Sequence, residues 1–246
     1  MRTKTLLLSA AALLAAGFVS SQAQPVYSQN IVGYASVATP KASTSYLLTV
    51  PFVVGVSNGA NEIWGSSLPD GTTVLIWVNY NHYVAYTWNT QDYPAPNAWE
   101  DSSQNNVPAP VLPVGQGFFL IPGAANLTNT FAGTVAINVG TSNVMALTNA
   151  STSYLVGSVV PYAGAITNGN SSTGGPNLNN LADGTTVLIW VNNNHYVAYT
   201  WNTQDYPAPN AWEDSSQNNV APPTIAVGQG FFIIPGGSGY KWTTGL

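Results

Sequence analysis

Apolar residues recur along this chain in short runs with a two-residue period, broken by clusters of Asn, Gly, Pro and Ser. That is the signature of strands and turns, not of helices. Thr72 to Val78 and His82 to Trp88 are rich in Val, Ile, Thr, Tyr and Trp, and Asn79-Tyr80-Asn81 separates them. Asn tolerates positive φ, so the pair predicts a tight β-hairpin. Alternation puts Val74, Ile76 and Val78 on one face and Thr73, Leu75 and Trp77 on the other. Neither face is polar, which places this strand between two layers or against another subunit. Further strands are predicted at Ile31 to Ala38, Tyr46 to Val54, Gly117 to Ile121 and Thr130 to Ile137. Pro51 implies an edge or a bulge in the second of these. One short helix is predicted around Asn61 to Ser66, ending before Pro69.

The pattern is written twice. Asp70 to Val107 returns at Asp183 to Val220, an offset of 113, with Tyr80 against Asn193 as the one change. Val114-Gly115-Gln116-Gly117-Phe118-Phe119 returns from Val227 at the same offset, and Ala42 to Leu47 returns from Ala150 at an offset of 108. The five-residue insertion is predicted in Asn168 to Pro176, a run dominated by Asn, Ser, Gly and Thr. Units of about 100 residues match ordinary domains and exceed the roughly 20–50-residue period of solenoids. The predicted fold is all-β: two tandem β-sandwich or small-barrel units.

Composition narrows the setting. Only 5% of residues are charged against 45% hydrophobic, where soluble domains carry about 25% charged residues. Four Lys and Arg face nine Asp and Glu, a poor match to nucleic acid, whose binding rests on cations that replace condensed counterions. Arg2 and Lys4 precede an apolar run from Leu6 to Val19, followed by Ser21-Gln22-Ala23, which reads as a cleaved secretory signal. The run is too short for a bilayer span of about 20 residues. Loss of residues 1–23 leaves Lys41 and Lys241 against nine carboxylates, a net charge of −7. Residues 24–40 are then an extended segment, 41–140 the first β unit and 141–246 the second. With no Cys in the chain, disulfide stapling, thiolate chemistry and a lipoprotein anchor are excluded.

The loop after each hairpin concentrates the candidate chemistry. Tyr93 and Trp99, with Tyr206 and Trp212 in the second copy, form a candidate aromatic surface for stacking on sugar rings. Asp92, Glu100 and Asp101, with Asp205, Glu213 and Asp214, offer hard oxygens for Ca²⁺, without the spacing of an EF-hand loop. The bland alternatives are that the tryptophans fill the core and the carboxylates cap turns. His82 and His195 each stand alone at a strand start, as capping or packing residues. No Gly-x-Ser-x-Gly elbow occurs, and Gly115 and Gly117 precede a strand, which suits a close backbone approach, not a phosphate cradle. No catalytic residue is assigned and no cofactor is expected beyond that Ca²⁺ alternative.

The segment Val26-Tyr27-Ser28-Gln29-Asn30-Ile31-Val32-Gly33-Tyr34, with the Asp-Gly-Thr-Thr-Val and Gly-Gln-Gly-Phe-Phe blocks, resembles secreted tandem-repeat β-proteins of Verrucomicrobia and related bacteria. The resemblance implies two β-rich units and export from the cell, and brings no catalytic residues. Here Leu-Ile-Trp-Val precedes the hairpin turn where a Lys-Trp-Asn type sequence is commoner, so apolar surface replaces a charge.

Edge strands usually carry Lys, inward charges or Pro, and this chain has almost no cations to spend on them. Ile31, Val32, Gly33, Tyr34, Ala35, Ser36 and Val37 form a candidate strand for pairing with its own unit or donation to a neighbour. The expected role is a non-enzymatic, self-associating protein of the cell surface or extracellular space. The alternative is a carbohydrate-binding or adhesive module.

Overall fold

The computed structural model describes residues 31–92, 98–137, 142–168, 175–204 and 211–245. The signal segment therefore lies outside the described residues, as do Tyr93, Asp205 and Tyr206. The fold is almost entirely β and is built twice. In the first repeat the elements are β1 (Val32–Thr39), β2 (Tyr46–Thr49), α1 (Ala60–Trp64), β3 (Thr73–Val78), β4 (His82–Trp88), β5 (Trp99–Glu100), β6 (Asn106–Val107), β7 (Gly117–Ile121) and β8 (Leu127–Thr134). The second repeat follows with β9 (Ser142–Leu147), β10 (Tyr154–Gly157), β11 (Gly164–Ala165), β12 (Thr186–Val191) and β13 (His195–Trp201). It continues through β14 (Trp212–Glu213), β15 (Asn219–Val220), β16 (Thr224–Ile225), β17 (Gly230–Ile234) and β18 (Tyr240–Gly245).

Each repeat forms a six-stranded antiparallel sheet, ordered β2-β7-β3-β4-β5-β6 in the first and β10-β17-β12-β13-β14-β15 in the second. A two-stranded ribbon made from the first and last strands of the repeat, β1 with β8 or β9 with β18, completes it. The hairpin at β3 and β4 is the one that alternation predicts, to within a residue. Its turn needs two successive left-handed residues, Asn79 (φ 48°) and Tyr80 (φ 60°), matched by Asn192 (φ 49°) and Asn193 (φ 58°). Asn suits that conformation far better than Tyr does.

The core of the first repeat lies between the sheet and its ribbon. Val74, Ile76, Phe118 and Leu120 meet Ala35 and Phe131 there, with Trp64 of α1, Trp88 and Trp99 filling the middle. Trp64 stands edge-on to Phe118 at 6.1 Å, a favoured aromatic geometry. The short helix is held at its start by Glu62, whose carboxylate accepts the backbone N–H groups of Val56, Ser57 and Gly59 and the Ser57 hydroxyl. It stops at Gly65, which adopts φ 57°. The second repeat has no equivalent helix among its described residues, and Ile166, Leu178 and Leu181 take that place in its core.

Those hydrogen bonds lower the Glu62 pKa from 4.5 to about 2, the Val56 N–H contributing most. A carboxyl depressed on folding stabilises above its unfolded pKa and loses that contribution as pH falls through its folded value. Stability to urea should therefore fall between about pH 4.5 and 2, and Glu62→Gln should be less stable at pH 7 with a flatter acid limb. Equal acid limbs in the two proteins would remove Glu62 from that role.

Two strand bounds need correction, and the choice left open for Ile31 to Val37 is resolved within the chain. The strand predicted over Tyr46 to Val54 ends at Thr49, because Pro51 has no N–H to give the ladder. Val53 instead makes a separate bridge with Thr134. β8 begins at Leu127, three residues before the predicted start, and ends at Thr134, since the chain beyond packs Ile137 against Val159 and Val160. Ile31 to Val37 is retained by its own repeat: β1 pairs with β8 from Val32↔Thr134 to Thr39↔Leu127, and Ala35 and Val37 pack on the core. The proposed insertion falls partly outside the described residues.

Candidate interaction surface

The second apolar face of β3 is covered by the other half of the same chain. Leu47, Phe119, Leu155 and Phe232 form a buried cluster, flanked by Leu75, Trp77, Leu188 and Trp190. Every member from one repeat has its equivalent from the other, so the two six-stranded sheets face each other about a pseudo-two-fold axis. The layers run ribbon, sheet, sheet, ribbon. Trp77 stands at 90° to Phe232 at 5.5 Å, and Trp190 at 83° to Phe119 at 5.4 Å. Each indole N–H crosses the junction, Trp77 Nε1 donating to Ser153 O and Trp190 Nε1 to Ser45 O, both at 2.8 Å. Burial at the same junction raises the phenol pKa values of Tyr83 and Tyr196.

The backbones also join. Gln116 bridges Val156 and Leu48 bridges Gln229, with Gly157 N donating to Gly115 O and Thr49 N to Gly228 O. The Gly-Gln-Gly blocks thus supply the close approach their sequence suggests. A Cβ on Gly117 would lie 2.8 Å from Leu155 Cγ, and one on Gly230 would lie 2.8 Å from Leu48 O. Beside each crossing lies a shallow groove. Trp190, Asn193 and Tyr46 line one of about 150 Å³, and Trp77, Tyr80 and Tyr154 line its counterpart of about 220 Å³. The single difference within the copied block lies here: Tyr80 packs on Tyr154 at 4.8 Å, whereas Asn193 stands beside Tyr46.

The predicted ligand surfaces fare differently. Trp99 is 0% and Trp212 1% exposed, so neither is a stacking platform. Each instead packs edge-on to a second tryptophan, Trp88 at 5.3 Å and Trp201 at 5.4 Å. The reason is register: Trp99 lies opposite Trp88 and Trp212 opposite Trp201, on the face toward the core. Trp99 Nε1 donates to Asn61 Oδ1 at 2.8 Å. Among the described residues the second repeat has no such helix, and the buried indole N–H of Trp212 has no partner there.

The acidic loops are engaged locally. The backbone N–H and side-chain amide of Asn105, with the N–H of Ser103, hold the Asp101 carboxyl below its ordinary pKa, and Asn218 and Ser216 do the same for Asp214. Glu100 accepts from Asn89 Nδ2 and Glu213 from Asn202 Nδ2, both at 2.8 Å. Asp92 lies in the turn that follows Asn89. Among the described residues no three His, Cys, Asp or Glu side chains come together, so no Ca²⁺ cage forms from these carboxylates there. His82 and His195 bond through Nδ1 to the neighbouring Asn81 and Asn194.

Among the described residues β1 pairs with β8 along one side only, and Val53 continues the sheet beyond β8 through Thr134. The ribbon of β9 and β18 also has unpaired edges there, and β1 is the longer strand. The eight residues of β1 include no charge and no Pro. On its outer face Val32 is 73% and Tyr34 77% exposed, with Ile31 beside them at 43%. Ser36 and Thr130 extend that face with a hydroxyl pair at 3.2 Å. Among the described residues no helix is long and apolar enough to cross a membrane. No family model, curated protein or solved structure matches this chain.

Proposed function

We propose that this protein is a non-enzymatic, exported structural subunit that associates with copies of itself, as in an extracellular filament or surface layer. The observation that supports this reading is the β1 edge, which is eight residues long, uncharged, paired on one side among the described residues and led on its outer face by exposed Val32 and Tyr34. Such edges accept further strands, with backbone pairing giving affinity and alternate side chains giving register. The edge itself carries no charge, so no like-charge repulsion acts along the strand that would pair. Export rests on the amino-terminal signal pattern, and a mature chain beginning at Gln24 is the expected product on sequencing.

The test uses the signal-less protein, with light scattering and negative-stain microscopy over a concentration series. Polymers are expected for the native sequence, and Val32→Lys with Tyr34→Lys should shift them to monomer by placing two charges on the open edge. A stable monomer at high concentration, with no polymer on native cells, would overturn the reading.

A further inference from the structure

We infer that the groove lined by Trp77, Tyr80, Gln116 and Tyr154 is a binding site for one ring of a neutral saccharide. This groove of about 220 Å³ and its twin of about 150 Å³ are built from equivalent positions of the two repeats. Two differences in sequence equip the first groove alone.

One is Tyr80, where the twin has Asn193. Both residues take the left-handed conformation of the hairpin turn, at φ 60° and φ 58°. Asn adopts it readily, whereas a bulky residue there is an outlier. The turn itself therefore has no need of Tyr, and the ring is held against its backbone preference. Such outliers concentrate at ligand and active sites. Tyr80 stays 52% exposed while its ring leans on Tyr154 at 4.8 Å.

The other is Pro113, where the twin has Ala226. Gln229 spends its amide on the protein, accepting from Ala226 N at 2.9 Å and donating to Trp190 O at 3.4 Å. Proline has no N–H to give, and among the described residues the Gln116 amide makes no hydrogen bond. One groove thus has a spare ring and a spare amide, and the other has neither.

These groups define the ligand. The C–H face of a pyranose buries against aromatic rings while its rim stays wet. Its hydroxyls both donate and accept, as the Gln116 amide and the Tyr80 hydroxyl do. Among the described residues no charged side chain lines the groove, which favours a neutral sugar over a uronate. Proline-rich peptides also dock in aromatic grooves, but proline offers a carbonyl acceptor and no donor. Drug-sized ligands fill about 300–1,000 Å³, so this groove takes a single ring. No lining residue belongs to β1, and the inference does not rest on self-association.

The signal-less protein is titrated with neutral gluco-, galacto- and manno-oligosaccharides, an oligouronate and a proline-rich peptide, read by tryptophan fluorescence and saturation-transfer NMR. At least one neutral oligosaccharide is expected to bind with a Kd of order 1 mM, as suits a shallow single-ring contact. Tyr80→Asn installs the residue that the twin turn already carries. It should weaken binding about tenfold or more, with the urea midpoint unchanged or raised. Gln116→Ala should also weaken it, and Asn193→Gly should leave it unchanged. No neutral saccharide bound at about 10 mM, undiminished binding by the Tyr80→Asn protein, or binding of the peptide or the uronate alone would overturn the inference. Val32→Lys with Tyr34→Lys should bind sugar as the native sequence does, so polymer formation and sugar binding are read separately.

Discussion

Trp77→Ala and Trp190→Ala should each lower the free energy of unfolding by about 3 kcal/mol, and the double variant should turn one urea transition into two. The magnitude sits at the low end for a tryptophan truncation because both side chains are half-buried. Each removes an edge-on contact with a phenylalanine of the other repeat and an indole N–H bond to a backbone carbonyl. The equivalence of the two sites makes the single variants informative, since their costs should agree closely. When both are lost, the cores between sheet and ribbon remain while the layer joining them is emptied of its largest rings. Each repeat then melts on its own terms. Tryptophan fluorescence and calorimetry on the same samples would check this, and one unshifted transition in the double variant would refute the coupling.

Trp99→Ala should cost about 3–5 kcal/mol, the largest effect expected from a single side chain in the loops after the hairpins. The residue is fully enclosed, edge-on to Trp88 and bonded to Asn61. Trp212→Ala should cost a similar amount through its contact with Trp201. Phenylalanine separates the two sites. Trp99→Phe strands Asn61 without its donor, whereas Trp212→Phe removes a buried N–H that has no partner among the described residues. An unsatisfied buried donor costs about 1–3 kcal/mol, so Trp212→Phe should be the milder change by about 1 kcal/mol. Chemical denaturation of the four variants decides it, and equal costs for the two phenylalanine changes would refute the assignment of the Asn61 bond.

Much of this architecture is legible in the residues. The hairpin, the strand at Gly117 and the short helix follow from alternation, β-branched content and the Asn and Gly positions, all of them local signals. The two-residue strands β5, β6, β14 and β15 carry too few residues to show a period. β9 and β18, the ribbon of the second repeat, have drifted from their counterparts in the first, and only the duplication marks their place. Leu75 and Trp77 announce a second buried face, but composition alone does not separate a neighbouring layer from a neighbouring molecule. The layer is the chain's own other half. Trp99 posed the converse difficulty: an aromatic in an acidic, Pro-rich loop reads equally as a platform or a core residue, and pairing opposite Trp88 decides it. The retention of Ile31 to Val37 depends on Phe131, almost a hundred positions away, which no local window contains.

The crossing at Gly117 and Gly230 binds the history of the two halves together. A methyl group gained at Gly117 strikes Leu155, and one gained at Gly230 strikes the backbone at Leu48 and the side chain of Leu47, so neither copy can drift at its crossing without a matching adjustment in its sister. Duplication ordinarily frees one copy to wander. Here the descendants remain each other's mould at the crossing, while the ribbons on the far side of each sheet have diverged freely.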